Sequence, residues 1–315
     1  MTTSTAIRIE GLGKRFGPSW SVRELNLDIA HGEIFGLVGP DGAGKTTTLR
    51  MLAGILAPTE GQASVAGHSI VEEAEAVKTK IAYMSQRFGL YGDLSVEENL
   101  RFYADLYEVD PKERPALEER LLGFSNLTPF RKRLARNLSG GMKQKLGLAC
   151  ALIHKPEVLL LDEPTNGVDP VSRRDFWRIL YQMLKEGVTI FVSTAYLDEA
   201  ERCTRVGLMH EGRLILCDTP QRLKTALAGT LVELDVADAR AAREALAPHL
   251  GANRVSLFGG RLHLYADSEQ DIARAEEHLR DAGIMVSGHR SIAPSLEDVF
   301  ISKVSAAPPA QEATV

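Results

Sequence analysis

No stretch of this chain approaches the roughly 20 consecutive apolar residues that a bilayer crossing requires, so any membrane role is expected to come through a partner. Cysteine is scarce: Cys150, Cys203 and Cys217 are the only three in 315 residues. They are scattered, without the paired spacing of a metal or redox site. The opening Met1-Thr2-Thr3-Ser4-Thr5-Ala6 lacks the charged-then-apolar layout of a signal peptide, and a reduced, cytosolic setting is expected. Neither sign of charge dominates, with Lys+Arg 37 against Asp+Glu 42 and a net charge of −5. That balance argues against a nucleic-acid partner, and no long heptad pattern suggests a coiled coil.

What is present is concentrated in one segment, Gly39-Pro40-Asp41-Gly42-Ala43-Gly44-Lys45-Thr46-Thr47. It follows the apolar run Ile34–Val38 and precedes the helical pattern Leu49–Ala53. Strand, glycine-rich turn and helix in that order are the setting of a phosphate-binding loop. Glycines let the backbone turn tightly so that several N–H groups face one anion. A helix starting near Gly44 adds its unpaired amides and positive dipole end. In that pattern Lys45 reaches the β- and γ-phosphates and the Thr46 hydroxyl ligates Mg2+. A nucleoside triphosphate site is therefore expected.

The remaining pattern is α/β. Short strands are expected at Ile7–Ile9, Leu25–Ile29, Ile34–Val38, Ala63–Val65 and Ile81–Met84. Residues 88–154 turn helical, with Leu100, Tyr103, Ala104 and Tyr107 at helical spacing. Strand signals return at Val158–Leu161, Val188–Thr194 and Val206–Leu216, around a helix at Ser172–Glu186. Strands alternating with helices indicate a mainly parallel sheet covered on both faces, with the helical segment inserted into it. A second unit starts near Gly229: strand Leu231–Val236, helix Asp238–Ala247 ended by Pro248, a hairpin of Arg254–Phe258 and Arg261–Ala266 turned by Gly259-Gly260, helix Ser268–Ala282, and strand Met285–Gly288. That β-α-β-β-α-β order suggests a small ferredoxin-like α+β domain. The expected division is 1–225, 229–304, and a disordered tail 305–315.

Two further motifs carry chemistry. Val158–Leu161 leads into Asp162-Glu163-Pro164, two carboxylates at the end of a buried strand. Ligands of parallel sheets sit at the carboxyl ends of the strands, so these acids should face the same crevice as Lys45. Asp162 is the natural Mg2+ partner, through water, and Glu163 is placed to polarise a water for attack on the γ-phosphate. Gln86, just past Ile81–Met84, is a further candidate for orienting water and metal. The run Leu138-Ser139-Gly140-Gly141-Met142-Lys143-Gln144 forms a second bare helix N-terminus, with Ser139 as cap and Met142, Leu146, Ala149, Cys150 and Ile153 as its apolar face. One triphosphate needs only one cradle. The surplus makes sense if Ser139–Gly141 closes over a nucleotide held by another subunit.

Together these residues resemble the ATP-binding subunits of ABC transporters. The matching motifs stand in the family's order: Gly39–Thr46 as Walker A, Gln86 as Q-loop, Leu138–Gln144 as signature, Leu159–Glu163 as Walker B, and Val168-Asp169 as D-loop. Phe16 is similar to the aromatic that stacks on adenine. The resemblance covers roughly residues 5–220 and implies a P-loop NTPase (RecA-like) core. It also implies ATP and Mg2+ as ligands, a second ATPase subunit (the same chain or a different one), and a separate polytopic membrane permease. The C-terminal unit, with Pro294–Phe300, is similar to the tail domain of drug-resistance-type exporters. In the family, the region of Arg87–Leu94 receives a permease helix; its apolar residues, Phe88 and Tyr91 among them, also suit the insertion's own core.

The sequence departs from the family at two positions. Asp41 stands where Asn is common. Ser193-Thr194-Ala195-Tyr196 has alanine where the family carries a switch histidine that contacts the γ-phosphate and helps hold Glu163. Losing one such donor costs about 10²–10³ in rate. A slow site with an intact signature fits an asymmetric heterodimer or a regulatory subunit. If instead Tyr196 or a water substitutes for the histidine, a homodimer works normally. A non-transport ABC protein is the remaining alternative, although such chains usually carry paired ATPase units or long coiled coils.

Overall fold

The computed structural model describes residues 4–86, 89–225, 229–251, 254–258 and 260–306. The first strands and helices are β1 (Thr5–Phe16), β2 (Ser19–Ala30), β3 (Ile34–Val38), α1 (Lys45–Leu52), β4 (Glu60–Val65), β5 (His68–Ser69), α2 (Ala74–Lys80) and β6 (Ile81–Met84). The insertion holds α3 (Val96–Leu106), α4 (Arg114–Phe124) and α5 (Gly140–Ala151). Then come β7 (Val158–Asp162), α6 (Pro170–Lys185), β8 (Thr189–Thr194), α7 (Leu197–Ala200), β9 (Arg205–His210), β10 (Arg213–Asp218) and α8 (Pro220–Thr225). The chain closes with β11 (Thr230–Val236), α9 (Ala239–Leu250), β12 (Val255–Phe258), β13 (Arg261–Ala266), α10 (Glu269–Asp281), β14 (Val286–Ile292) and α11 (Leu296–Ala306). No helix among the described residues is long and apolar enough to cross a membrane.

The chain forms two compact units, Met1–Leu214 and Ile215–Val315, dividing inside β10. The sequence puts the division after residue 225, where residues 226–228 lie outside those described.

In the first unit β9, β3, β8, β7 and β6 lie side by side in that order, and each pair is parallel. β3 and β7 are buried at every residue, as an apolar run without alternation requires when both faces are covered. The register aligns Met84 with Leu161, Asp162 with Ser193, and Val38 with Thr194. The loops after β3, β6, β7 and β8 therefore leave from one edge, and the site is built there.

The N-terminal strands differ from the short ones expected. β1 and β2 each run for 12 residues. They pair antiparallel in a separate sheet of order β2-β1-β4-β5. Ile7, Ile9 and Leu12 are buried on β1, as are Leu25, Leu27 and Ile29 on β2. A register shift around Gly11, whose φ is 58°, carries the pairing past the break in alternation.

In the insertion, Ser95 and Glu98 form a reciprocal cap at the start of α3. Helix α5 is buried beyond the single face expected: Lys145, Gly147, Leu148 and Ala151 are covered too, and Lys145 lies 3.7 Å from Asp175. Its sequence reads as one-faced only if that lysine is assigned to solvent.

The second unit has the order β-α-β-β-α-β, with strands arranged β12-β13-β11-β14 and every neighbouring pair antiparallel. Val232, Leu234, Leu262 and Leu264 meet Ala242, Leu246, Ala275 and Leu279 in its core. Helix α9 does not stop before Pro248 but runs to Leu250. In the last turn proline forfeits one hydrogen bond, and Gly251 at φ 92° closes the helix. Gly260 turns the hairpin at φ 84°, while Gly259 lies outside the described residues. Helix α11 extends through Ala306, two residues into the segment expected to be disordered, and residues 307–315 are not described.

Candidate functional site

The loop between β3 and α1 is wound so that α1 starts at Lys45 with Gly44 as its cap residue. Gly44 has φ 105°, and a Cβ there would lie 2.3 Å from the Ser21 carbonyl oxygen. Only glycine satisfies both the left-handed backbone and that approach. Gly44→Ala is expected to cost about 3 kcal/mol, lowering the unfolding midpoint by roughly 10 °C. Differential scanning fluorimetry of the nucleotide-free protein checks this; an unchanged midpoint refutes the packing argument.

Lys45 is 4% exposed and points back along its own loop. Its Nζ donates to the carbonyls of Gly39 at 2.8 Å and Pro40 at 3.0 Å. It also pairs with Glu163 Oε1 at 3.1 Å. Thr46 Oγ1 donates to Asp162 Oδ1 at 2.9 Å, and Ser193 Oγ donates to the same oxygen at 2.9 Å. Tyr83 stands 3.4 Å from Asp162 Oδ2; burial, and then the Asp162 charge, push the phenol above its ordinary range. Gln86 Nε2 donates to Glu163 Oε2 at 3.3 Å, and Asn166 Nδ2 to the same atom at 3.4 Å. Glu163 has φ 46°, uncommon for a residue with a side chain, and its N–H is held by Ser193 Oγ at 3.1 Å.

These residues open onto a cleft of about 330 Å³, lined by Asp41, Gly42, Lys45, Thr46, Gln86 and Glu163 among others. Thr47 faces it as well, its hydroxyl 2.8 Å from that of Ser21 on β2. Gly39, Pro40 and Ala43 form the wall behind: the first two accept from Lys45, and Ala43 is 2% exposed. Ala195 follows β8 and lines a smaller cavity of about 130 Å³ with Asp41, Glu163, Asn166 and Tyr196. Phe16 ends β1, is 52% exposed, and carries Lys14 Nζ at 5.4 Å from its ring centre.

The Ser-Gly-Gly turn is not part of this cleft. Ser139 caps α5 by accepting from the Met142 N–H at 3.3 Å, and Gly140 opens the helix. Gly141 packs so closely on α6 that a Cβ there would lie 2.4 Å from the Ser172 side chain. Gln144 lines a different cavity of about 340 Å³, together with Gln86, Leu90, Arg136 and Lys143. Asp169 caps α6 by accepting from the Val171 and Ser172 N–H groups, and the Ser172 bonds hold its carboxyl below the usual range. Arg87 and Phe88 lie outside the described residues. Tyr91 is 48% exposed, its ring 4.4 Å from that of Phe102. Cys150 and Cys203 are buried, which raises their thiol pKa values.

Ser21, Ser193 and Asn166 escape sequence reasoning. Ser21 lies on a strand far from the loop it supports. Ser193 and Asn166 are short polar residues whose relevance appears only when β7 and β8 are adjacent.

The donors suit a hard divalent cation: a hydroxyl and a carboxylate converge at 2.9 Å, with an amide beside them. Among the described residues no cluster of three or more His, Cys, Asp or Glu side chains is placed to hold a metal ion alone. The Thr46 hydroxyl and Asp162 carboxylate fit Mg2+, which keeps waters and takes its other ligands from phosphates.

Residues 22–166 match the ABC transporter family. The chain is 51% identical over 226 residues to the probable multidrug ABC transporter ATP-binding protein YbhF of Escherichia coli (strain K12), covering 71% of this chain and 39% of that protein. It thus spans about two fifths of that relative's length. It is 34% identical over 303 residues to the daunorubicin resistance ATP-binding protein DrrA3 of Streptomyces coeruleorubidus, covering 94% of this chain and 95% of the other. Among solved structures, the ATP-binding subunit of an ABC transporter aligns with TM-score 0.64 at 27% identity, over 70% of this chain and 92% of that one.

Proposed function

This chain belongs to the ABC transporter family of ATP-binding proteins, and we propose that it is an ATP-hydrolysing subunit that works in a pair and drives a separate membrane permease. The observation that carries this reading is the convergence of Lys45, Thr46, Gln86 and Glu163 on one cleft, with Asp162 behind it bonded to Thr46, while the Ser139–Gly141 turn does not line it. A cleft that lacks its second anion cradle calls for a second subunit to supply one. Phe16, exposed at the end of β1, is available to stack on adenine.

Lys45 holds Glu163 as an ion pair. Phosphate oxygens compete for the ammonium, and its departure frees the carboxylate. Glu163 then accepts a proton from the water that attacks the γ-phosphoryl group, while Gln86 and Asn166 orient it. Thr46 and Asp162 would hold Mg2+, whose charge offsets that of the β- and γ-phosphates. Asp169 and the signature residues Ser139, Gly140, Gly141 and Gln144 act across the subunit boundary.

Export of drugs or other hydrophobic compounds is supported by the names of relatives, which include multidrug, daunorubicin resistance and Nod factor export proteins. The subunit would then sit on the inner face of the membrane, held by its permease. Ala195 favours a second reading, an asymmetric heterodimer in which this chain's own cleft turns over slowly and its signature completes a faster site.

ATP hydrolysis by the isolated chain and by Ala195→His separates the two. The heterodimer reading expects the substitution to raise kcat about 10-fold or more, by restoring a donor near the γ-phosphate. A wild type already at ordinary rates, unimproved by histidine, removes it. Absence of a polytopic membrane protein from the native complex would remove the transport reading altogether.

A further inference from the structure

The loops flanking Ala195 are tied together by a buried carboxylate. Glu199 is fully buried and accepts from Thr165 Oγ1 at 2.5 Å and Thr194 Oγ1 at 3.0 Å. Thr165 precedes Asn166, and Thr194 Oγ1 also accepts from the Tyr196 N–H at 3.0 Å. The backbone beside Asn166 and that of Tyr196 are therefore anchored to the same buried carboxylate. The Tyr196 ring is backed by the Arg173 guanidinium, 4.5 Å from its centre. Arg173 is itself held by Asp198 at 3.7 Å and by Glu199 at 3.4 Å, the latter an ion pair without hydrogen-bond alignment.

The direction of the resulting hydrogen bonds follows from chemistry. An ionised carboxylate only accepts, so Asn166 must turn its NH2 group toward Glu163, at 3.4 Å. Its carbonyl oxygen then faces away and can only accept, so the Tyr196 hydroxyl, at 3.4 Å, must donate. Each donor points at the next acceptor and ends on the catalytic carboxylate, an arrangement in which neighbouring bonds polarise one another. Both separations are long for hydrogen bonds, as is common in catalytic groups before the substrate tightens them.

We propose that Tyr196 and Asn166 are positioning residues that orient the Glu163 carboxylate, taking over the task of the side chain absent at Ala195. The inference rests on Glu163 being the base. Removing one neutral hydrogen bond from such a chain changes a rate by about three- to tenfold.

The test is single-turnover ATP hydrolysis with Mg2+, which registers slow sites, together with KM and the unfolding midpoint. Tyr196→Phe and Asn166→Ala are expected to lower kcat about three- to tenfold with KM and midpoint unchanged. In an Ala195→His background, Tyr196→Phe is expected to lose much less, because histidine already orients Glu163. Equal losses in both backgrounds would mark Tyr196 as structural only, and no loss in the wild-type background would overturn the inference outright. Glu163→Gln run in parallel separates the two levels. If it hydrolyses ATP like the wild type, the base assignment fails. If it alone is inactive while Tyr196→Phe and Asn166→Ala are normal, only the relay fails.

Discussion

Glu163→Gln is expected to lower single-turnover ATP hydrolysis about 10³-fold while ATP binds more tightly than to the wild type. The first effect is loss of the proton acceptor, since glutamine keeps the shape of the side chain and its contacts with Gln86 and Asn166 but cannot take a proton. The second follows from the Lys45–Glu163 ion pair. In the wild type, ATP must draw Lys45 away from a carboxylate 3.1 Å distant. In the variant that competitor is neutral, and the buried ammonium waits for an anion. A gain in affinity of roughly tenfold is expected, read by isothermal titration without Mg2+ to prevent turnover. Unaltered hydrolysis would disqualify Glu163 as base. Weaker ATP binding would show that Lys45 and Glu163 are not in competition.

Lys45→Ala should have the largest effect on the protein before any nucleotide arrives. The Lys45 side chain is 4% exposed and the Glu163 side chain 12%, so removing the ammonium strands a nearly buried carboxylate. Breaking such a pair from one side costs about 3 kcal/mol, because the remaining charge loses its compensation and cannot regain water. The carbonyls of Gly39 and Pro40 also lose their donor. ATP affinity falls about 10²-fold as the charge-assisted bonds to phosphate vanish. The diagnostic comparison is the double variant Lys45→Ala with Glu163→Gln. It should recover a good part of the lost stability, since no unpaired carboxylate remains, yet stay weak for ATP. Denaturant titration of the single and double variants measures the coupling. Additive losses would mean that the ion pair contributes nothing to the resting fold.

Where such effects can be foreseen depends on how far apart the partners lie in the chain. The phosphate loop was legible because strand, turn and helix are contiguous, and its glycines carry their conformational meaning locally. The acidic pair at Asp162 and Glu163 was legible because an apolar run marks a buried parallel strand, whose carboxyl end is where ligands gather. The C-terminal β-α-β-β-α-β order was readable from alternation and turn residues. What failed was also local. Pro248 reads as a stop, yet a helix tolerates proline in its last turn. The signature helix was read from one apolar face, yet Lys145, Gly147, Leu148 and Ala151 are buried as well. The N-terminal strands read as short because the alternation breaks at Gly11, which the folded chain absorbs as a register shift.

The amino-acid order by itself marked the candidates: Gly39–Thr47 for a triphosphate, Asp162 and Glu163 as its carboxylates, and Ala195 where the resemblance implies a histidine. Only the tertiary structure decided how they combine. Thr46 meets Asp162 across 116 residues of chain, and Ser193 meets Asp162 across 31, because β3, β8 and β7 are successive parallel neighbours in register. The same adjacency brings Asn166 and Tyr196 together, 30 residues apart, and leaves the Ser139 turn outside the cleft. Propensity and periodicity act over a few residues, whereas strand order and register are set by burial of the whole sheet.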